Sequence, residues 1–223
     1  MNPSPQLKAF VFDAYGTVFD VHSVAELAEQ LFPGQGMALS QLWRLKQIEY
    51  MYLRTLMGRY IPHNENTESA LVYACKALGL ECDSAQRAKL MQAYLRLTPY
   101  PEATAALDAL AGRKRAILSV GTKPMLTEMV AHAGMTARFD KLISVDAVKV
   151  YKPHPATYQL VLDELGVART DVGFVTSNYF DVAGAKAFGF TVFWINRGNA
   201  LPDELGLLPD HVLKDLSGLK QFA

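Results

Sequence analysis

With 22 basic and 22 acidic side chains in 223 residues, the chain has no net charge with which to grip a nucleic acid or an anionic membrane. It is long enough for one sizeable core plus an inserted subdomain, and no apolar run approaches membrane-spanning length. Its two cysteines, Cys75 and Cys82, are too few for a disulfide framework and read as reduced thiols without metal-ligand company.

Residues 1–6 form a short polar lead-in with no basic n-region and no apolar segment, so a cytoplasmic location is expected. The first strand is expected at residues 9–12. From about 18 to 98 the pattern turns helical: apolar residues recur at three- and four-residue spacing across 40–59 (Leu42, Leu45, Ile48, Tyr52, Leu56), with further helices at 67–78 and 85–97. Prolines at 99 and 101 mark a linker. Strands at 115–119, 142–145, 173–176 and 191–195 then alternate with helices at 122–133, 156–165 and 182–188, and a short edge strand is expected near 211–216. Gly166 and Gly189 stand as stop signals after the last two helices. This alternation argues an α/β fold: a Rossmann-like parallel-sheet core (residues 1–17 and 99–223) with an inserted helical cap subdomain (residues 18–98).

Asp13 ends the first strand and opens Asp13-Ala14-Tyr15-Gly16-Thr17. A carboxylate where a buried strand turns into a glycine-containing loop is where an α/β sheet presents a catalytic group. Two residues on stands Tyr15, not a second acid.

The stretches Phe12-Asp13-Ala14-Tyr15-Gly16-Thr17, Leu42-Trp43-Arg44, Glu49-Tyr50, Leu56-Met57-Gly58-Arg59-Tyr60, Lys152-Pro153 and Ala185-Lys186-Ala187-Phe188-Gly189-Phe190, in this order, resemble the haloacid dehalogenase superfamily, and most of all the L-2-haloacid dehalogenases. The resemblance spans nearly the whole chain. Phosphatases of that superfamily carry an acid two residues after the nucleophile to protonate the leaving alkoxide. A halide leaves without a proton, so Tyr15 fits carbon–halogen cleavage.

The resemblance implies hydrolysis of short (S)-2-haloacids, with inversion at C2, through an ester on Asp13. It gives Thr17 the task of orienting that carboxylate and Lys152 that of opposing its charge and attracting the substrate carboxylate. Tyr158 would support the lysine, and Asp181 would hold Lys152 and help activate the hydrolytic water. Arg44 and Asn178 would donate to the halide. Ser119, with the backbone N–H groups after it, would hold the substrate carboxylate, and Thr176 stands where a serine is usual. Ala14, Tyr15, Val120 and Phe180 would complete the substrate pocket. No cofactor and no metal is expected, since Ser177-Asn178 replaces the first acid of the phosphatase magnesium site. A homodimer joined through the helix at 40–59 is the assembly the resemblance suggests.

The chain departs from the pattern at Val120, usually asparagine, at Leu45, often polar, at Phe180, usually tryptophan, and at Pro62-His63, where an apolar aromatic commonly lines the pocket. His63 is expected on a cap loop facing water, and His154, between prolines, is expected to cap the helix after it. The competing readings are a magnesium-dependent phosphohydrolase of the same superfamily and a non-catalytic protein that binds small acids.

Overall fold

The computed structural model describes residues 7–223; the polar lead-in at 1–6 lies outside them. Strand β1 (Ala9–Phe12) is buried along its whole length. Four apolar residues without alternation suit a strand covered on both faces. Five more strands join it: β2 (Lys114–Ser119), β3 (Lys141–Ser144), β4 (Val172–Thr176), β5 (Thr191–Ile195) and β6 (His211–Leu213). They form one parallel sheet in the order β3-β2-β1-β4-β5-β6. The strand order reverses direction between β1 and β4, which flank the crevice where an open sheet takes ligands. Phe12 is in register with Ile117 on one side and Val175 on the other. Asp13, Ser119 and Thr176 therefore gather at one end of the sheet.

Between β1 and the prolines at 99 and 101 the chain builds four helices, α1 (Ala25–Leu31), α2 (Gly36–Leu56), α3 (His63–Ala77) and α4 (Ser84–Tyr94). Helix α5 (Ala103–Ala109) precedes β2, and α6 (Lys123–His132), α7 (Pro155–Leu165) and α8 (Tyr179–Phe188) alternate with the remaining strands. The α/β, Rossmann-like expectation is met. Helices α1 and α5 are additions to it: each has only seven residues, two turns, too short for a periodic stripe to show. The expected β3 shifts back by one residue because Val145 opens a short 3₁₀ turn.

Two helix starts move in ways that matter. Helix α3 begins four residues earlier than expected, because Pro62 sits just ahead of the first turn, where its missing N–H breaks no helical bond. Helix α8 begins at Tyr179, which places Asn178 at its N-cap position and Asp181 in its first turn. His154 caps α7 as expected, its Nδ1 accepting the Ala156 N–H at 3.2 Å.

The chain enters and leaves the helical insert along two segments bonded to each other. The Asp20 N–H donates to the Thr98 carbonyl at 2.8 Å, the Tyr100 N–H donates to the Val18 carbonyl at 2.9 Å, and Phe19 bridges Pro99. Among the described residues no helix is long and apolar enough to cross a membrane.

Candidate active site

Asp13 continues β1 by one residue, its N–H donating to the Val175 carbonyl at 2.9 Å, and is only 4% exposed. Three side chains hold its carboxylate. Oδ2 accepts from the Thr17 hydroxyl at 3.0 Å and from Asn178 Nδ2 at 2.8 Å, while Oδ1 accepts from Lys152 Nζ at 3.0 Å. Thr17 is fixed in turn, its oxygen receiving the Ser177 N–H at 2.9 Å, and Thr176 Oγ1 receives the Asn178 N–H at 3.1 Å. Oδ1, with one donor against two on Oδ2, is the oxygen with lone pairs to spare.

Lys152 is buried between two acids, reaching Asp181 Oδ2 at 2.8 Å as well as Asp13. The Tyr158 hydroxyl donates to Asp181 Oδ1 at 2.7 Å, so this tyrosine touches the acid and supports the lysine only through it. Gly184 in α8 makes room for that contact: a Cβ there would strike the Tyr158 hydroxyl and Pro153. Burial alone would lower the Lys152 ammonium, but Asp13 and Asp181 more than reverse this and hold it above the ordinary lysine range. One ammonium facing two buried carboxylates leaves negative charge uncompensated. Burial accordingly pushes Asp181 up to about 6, against the pull of Lys152. A carboxyl raised in the folded state stabilises the fold fully below its ordinary value of 3.8, and that contribution is lost as pH rises through about 6. Wild-type stability in urea should therefore decline across this window, and Asp181→Asn should flatten the decline; an unchanged slope in the variant would refute the assignment.

The insert reaches this cluster through Arg44 of α2. Its Nη2 donates to Asn178 Oδ1 at 3.2 Å and lies 3.4 Å from the Tyr15 carbonyl, while Nη1 is buried without a partner. Asn178 differs from expectation. Its amide hydrogens go to Asp13 and, at 3.0 Å, to the Tyr15 carbonyl, leaving neither for a halide. Asp181 is likewise committed, with Lys152 on one oxygen and Tyr158 on the other, and is fully buried, so it is poorly placed to activate water. Ser119 is buried and accepts the Gly121 N–H at 3.2 Å, with Val120 buried beside it. A Cβ at Gly121 would meet the Tyr15 hydroxyl at 2.8 Å, so only glycine lets the Tyr15 ring lie there. Burial raises the Tyr15 hydroxyl well above its ordinary value. Ala14 is buried behind the loop. Phe180 packs edge-on against Tyr52 of α2 at 5.6 Å, beside a cavity of about 600 Å³ that extends to Lys152 and Tyr151.

A model of the haloacid dehalogenase-like hydrolase family matches residues 7–189. The chain belongs to the haloacid dehalogenase-like hydrolases. It is 54% identical over 191 residues to the (S)-2-haloacid dehalogenase of Xanthobacter autotrophicus, covering 86% of this chain and 76% of that one. Haloacetate dehalogenase H-2 of Moraxella sp. (strain B) is 47% identical over 207 residues, 92% of each chain. Among solved structures, L-2-haloacid dehalogenase from Xanthobacter autotrophicus with chloropropionic acid covalently bound superposes with a TM-score of 0.91 at 47% identity, over 96% of this chain and 97% of that one.

Within this family of hydrolases the chain's donor set does not suit a magnesium ion. Asp13 and Asp181 already share an ammonium that stands between them, and among the described residues no group of three or more His, Cys, Asp or Glu side chains converges.

His63 is a correction. It does not face water: it is fully buried, its ring centroid 5.4 Å from that of Tyr15 and 6.0 Å from that of Tyr151. The early start of α3 is the reason, since it puts residue 63 one turn ahead of buried Thr67 and on the same inward face.

Arg197 belongs to this haloacid dehalogenase-like site, and no motif in the sequence marks it. Its guanidinium donates to the Gly16 and Thr17 carbonyls at 3.3 and 3.0 Å and to Ser177 Oγ at 3.1 Å. It pairs with Glu102 at 2.7 Å and lies over the Tyr100 ring. The arginine thus ties the nucleophile loop to the loop after β4. Its one sequence signal was position, two residues past the end of β5 on the edge where the site assembles.

Proposed function

We propose that the protein hydrolyses short (S)-2-haloalkanoic acids to (R)-2-hydroxy acids and halide through an aspartyl ester on Asp13. The observation that carries this reading is a buried carboxylate held by three donors with a phenol, not an acid, two residues along its loop. Tyr15, with its proton bound more tightly than an ordinary phenol, is a poor acid for an alkoxide, whereas a halide needs none.

Asp13 Oδ1 attacks C2 in line with the carbon–halogen bond, and the bonding pair leaves with the halide toward the free arm of Arg44. Holding the carboxylate in one rotamer removes most of the orientational cost. Water then adds to the ester carbonyl, releasing the hydroxy acid and restoring the carboxylate. Ser119 and the backbone N–H groups between it and α6 receive the substrate carboxylate, the Gly121 N–H turning to it from Ser119 Oγ. Lys152 and Asp181 maintain the field around the nucleophile. The (S) preference follows the relatives' names rather than any distance here.

The exposed Leu45, Leu53 and Leu56 on α2, with Met57 just past its end, support a homodimer joined through that helix. Free thiols at Cys75 and Cys82 suit a reducing cytoplasm.

The test is halide release from L- and D-2-chloropropionate in EDTA, with phosphate release from a phosphomonoester plus magnesium as control. Halide from the L form alone is the expected result. Phosphate without halide would replace this reading with the phosphohydrolase, and binding of either acid without turnover would make the protein a small-acid binder.

A further inference from the structure

Buried side-chain atoms without a partner concentrate on the inner faces of α2 and α3: Arg44 Nη1, Gln47 Nε2, Thr67 Oγ1 and both ring nitrogens of His63. The Tyr94 hydroxyl, donating to Gln47 Oε1 at 2.8 Å, fixes that amide with its nitrogen free. Arg44 and Gln47 therefore present only N–H groups, and a neutral imidazole adds one more. Native interiors rarely leave so many donors unpaired, so this surplus is one that an incoming acceptor would relieve.

The cluster adjoins the chemistry. His63 packs on the ring of Tyr15, whose own carbonyl faces the other arm of Arg44. Burial first, and the Arg44 charge second, lower His63 to about 3, so its ring is neutral at working pH and does not compete with the guanidinium. None of the described residues accepts its N–H.

We propose that His63 is a specificity-determining residue of the dehalogenation: beside the free arm of Arg44, its ring N–H donates a hydrogen bond to the halogen as it leaves C2. The inference rests on the dehalogenase reading above. A carbon-bound halogen is a feeble acceptor and a departing halide is a full anion, so the bond strengthens along the reaction coordinate. The Oδ1–C2 bond forms, the C2–halogen bond breaks with its pair on the halogen, and His63 keeps its proton. Charge density rises from bromide to chloride to fluoride, so the gain is largest for the smallest halide. An apolar aromatic in this place could only pack.

The experiment compares the intact wild-type chain with His63→Phe and His63→Asn on fluoro-, chloro- and bromoacetate, following halide release, with inhibition by added sodium fluoride and bromide as a second readout. In His63→Phe, kcat for fluoroacetate should fall about tenfold or more relative to bromoacetate, the scale of a hydrogen bond to an anion. Fluoride should inhibit that variant more weakly while bromide changes little. Asparagine, which keeps a side-chain N–H, should recover part of the ratio. Equal scaling of all three substrates and both inhibitors in each variant would overturn the inference and leave His63 a packing residue. If fluoroacetate is inert throughout, the chloride-to-bromide ratio and fluoride inhibition decide by the same criteria. Wild-type chain that releases no halide from any haloacid would overturn the dehalogenase reading itself, a distinguishable failure.

Discussion

Asp13→Asn is expected to lose halide release by roughly 10⁴-fold or more, the scale seen when a covalent nucleophile is removed from a preorganised site. All three partners of the carboxylate, Thr17, Asn178 and Lys152, are placed as donors. An asparagine offers one oxygen and one NH₂, so whichever way it turns, two hydrogens face a donor. The amide is also neutral and a poor nucleophile. Circular dichroism and a melting curve would show whether the fold survives. A complementary wild-type experiment uses enzyme in excess of substrate in ¹⁸O-water. The first turnover should place the label on Asp13 and ordinary oxygen in the product, because water attacks the ester and not C2. Labelled product in that first turnover would exclude the aspartyl ester.

Lys152→Met is expected to abolish turnover and destabilise the fold together. Removing one partner from a buried ion pair costs about 3–5 kcal/mol, because the remaining charge is left uncompensated. Here two carboxylates are stranded, Asp13 at 3.0 Å and Asp181 at 2.8 Å from the missing ammonium. Asp181, already raised by burial, loses the ammonium that opposes that rise, and Asp13 loses the donor that fixes its attacking oxygen. The sign of the pH effect follows. Carboxyls raised in the folded state stabilise it in acid and lose that contribution as pH rises, so the variant's deficit should shrink toward pH 4 and widen toward neutrality. Urea titrations at both pH values decide it. A variant as stable as wild type at pH 7 would mean that the ion pairs contribute little.

Much of this was legible in the residues. The uninterrupted apolar run before Asp13 announced a buried central strand ending in a carboxylate, and Lys152, Asn178 and Asp181 lie on the connections that leave β3 and β4, where a parallel sheet collects its chemistry. What escaped depends on facts that no short pattern encodes. The orientation of His63 hinged on a helix starting four residues early behind a proline. The allocation of the Asn178 hydrogens required knowing that Asp13 and the Tyr15 carbonyl were both in reach. Arg197 acts on backbone carbonyls 181 and 180 residues away, a contact that leaves no periodicity behind. The short α5, with alanine at four of its seven positions, offered little apolar contrast to mark a face.

The paired crossings at Val18–Asp20 and Thr98–Tyr100 carry a kinetic consequence. A guanidinium delivered by a separate molecule would have to find the nucleophile by diffusion. Arg44 rides on a segment tethered at both ends, the two tethers clasped together beside the loop it serves. Its effective concentration beside Asn178 and the Tyr15 carbonyl is set by geometry and does not fall on dilution. The guanidinium that reaches Asn178 and the Tyr15 carbonyl is therefore already in place at any protein concentration.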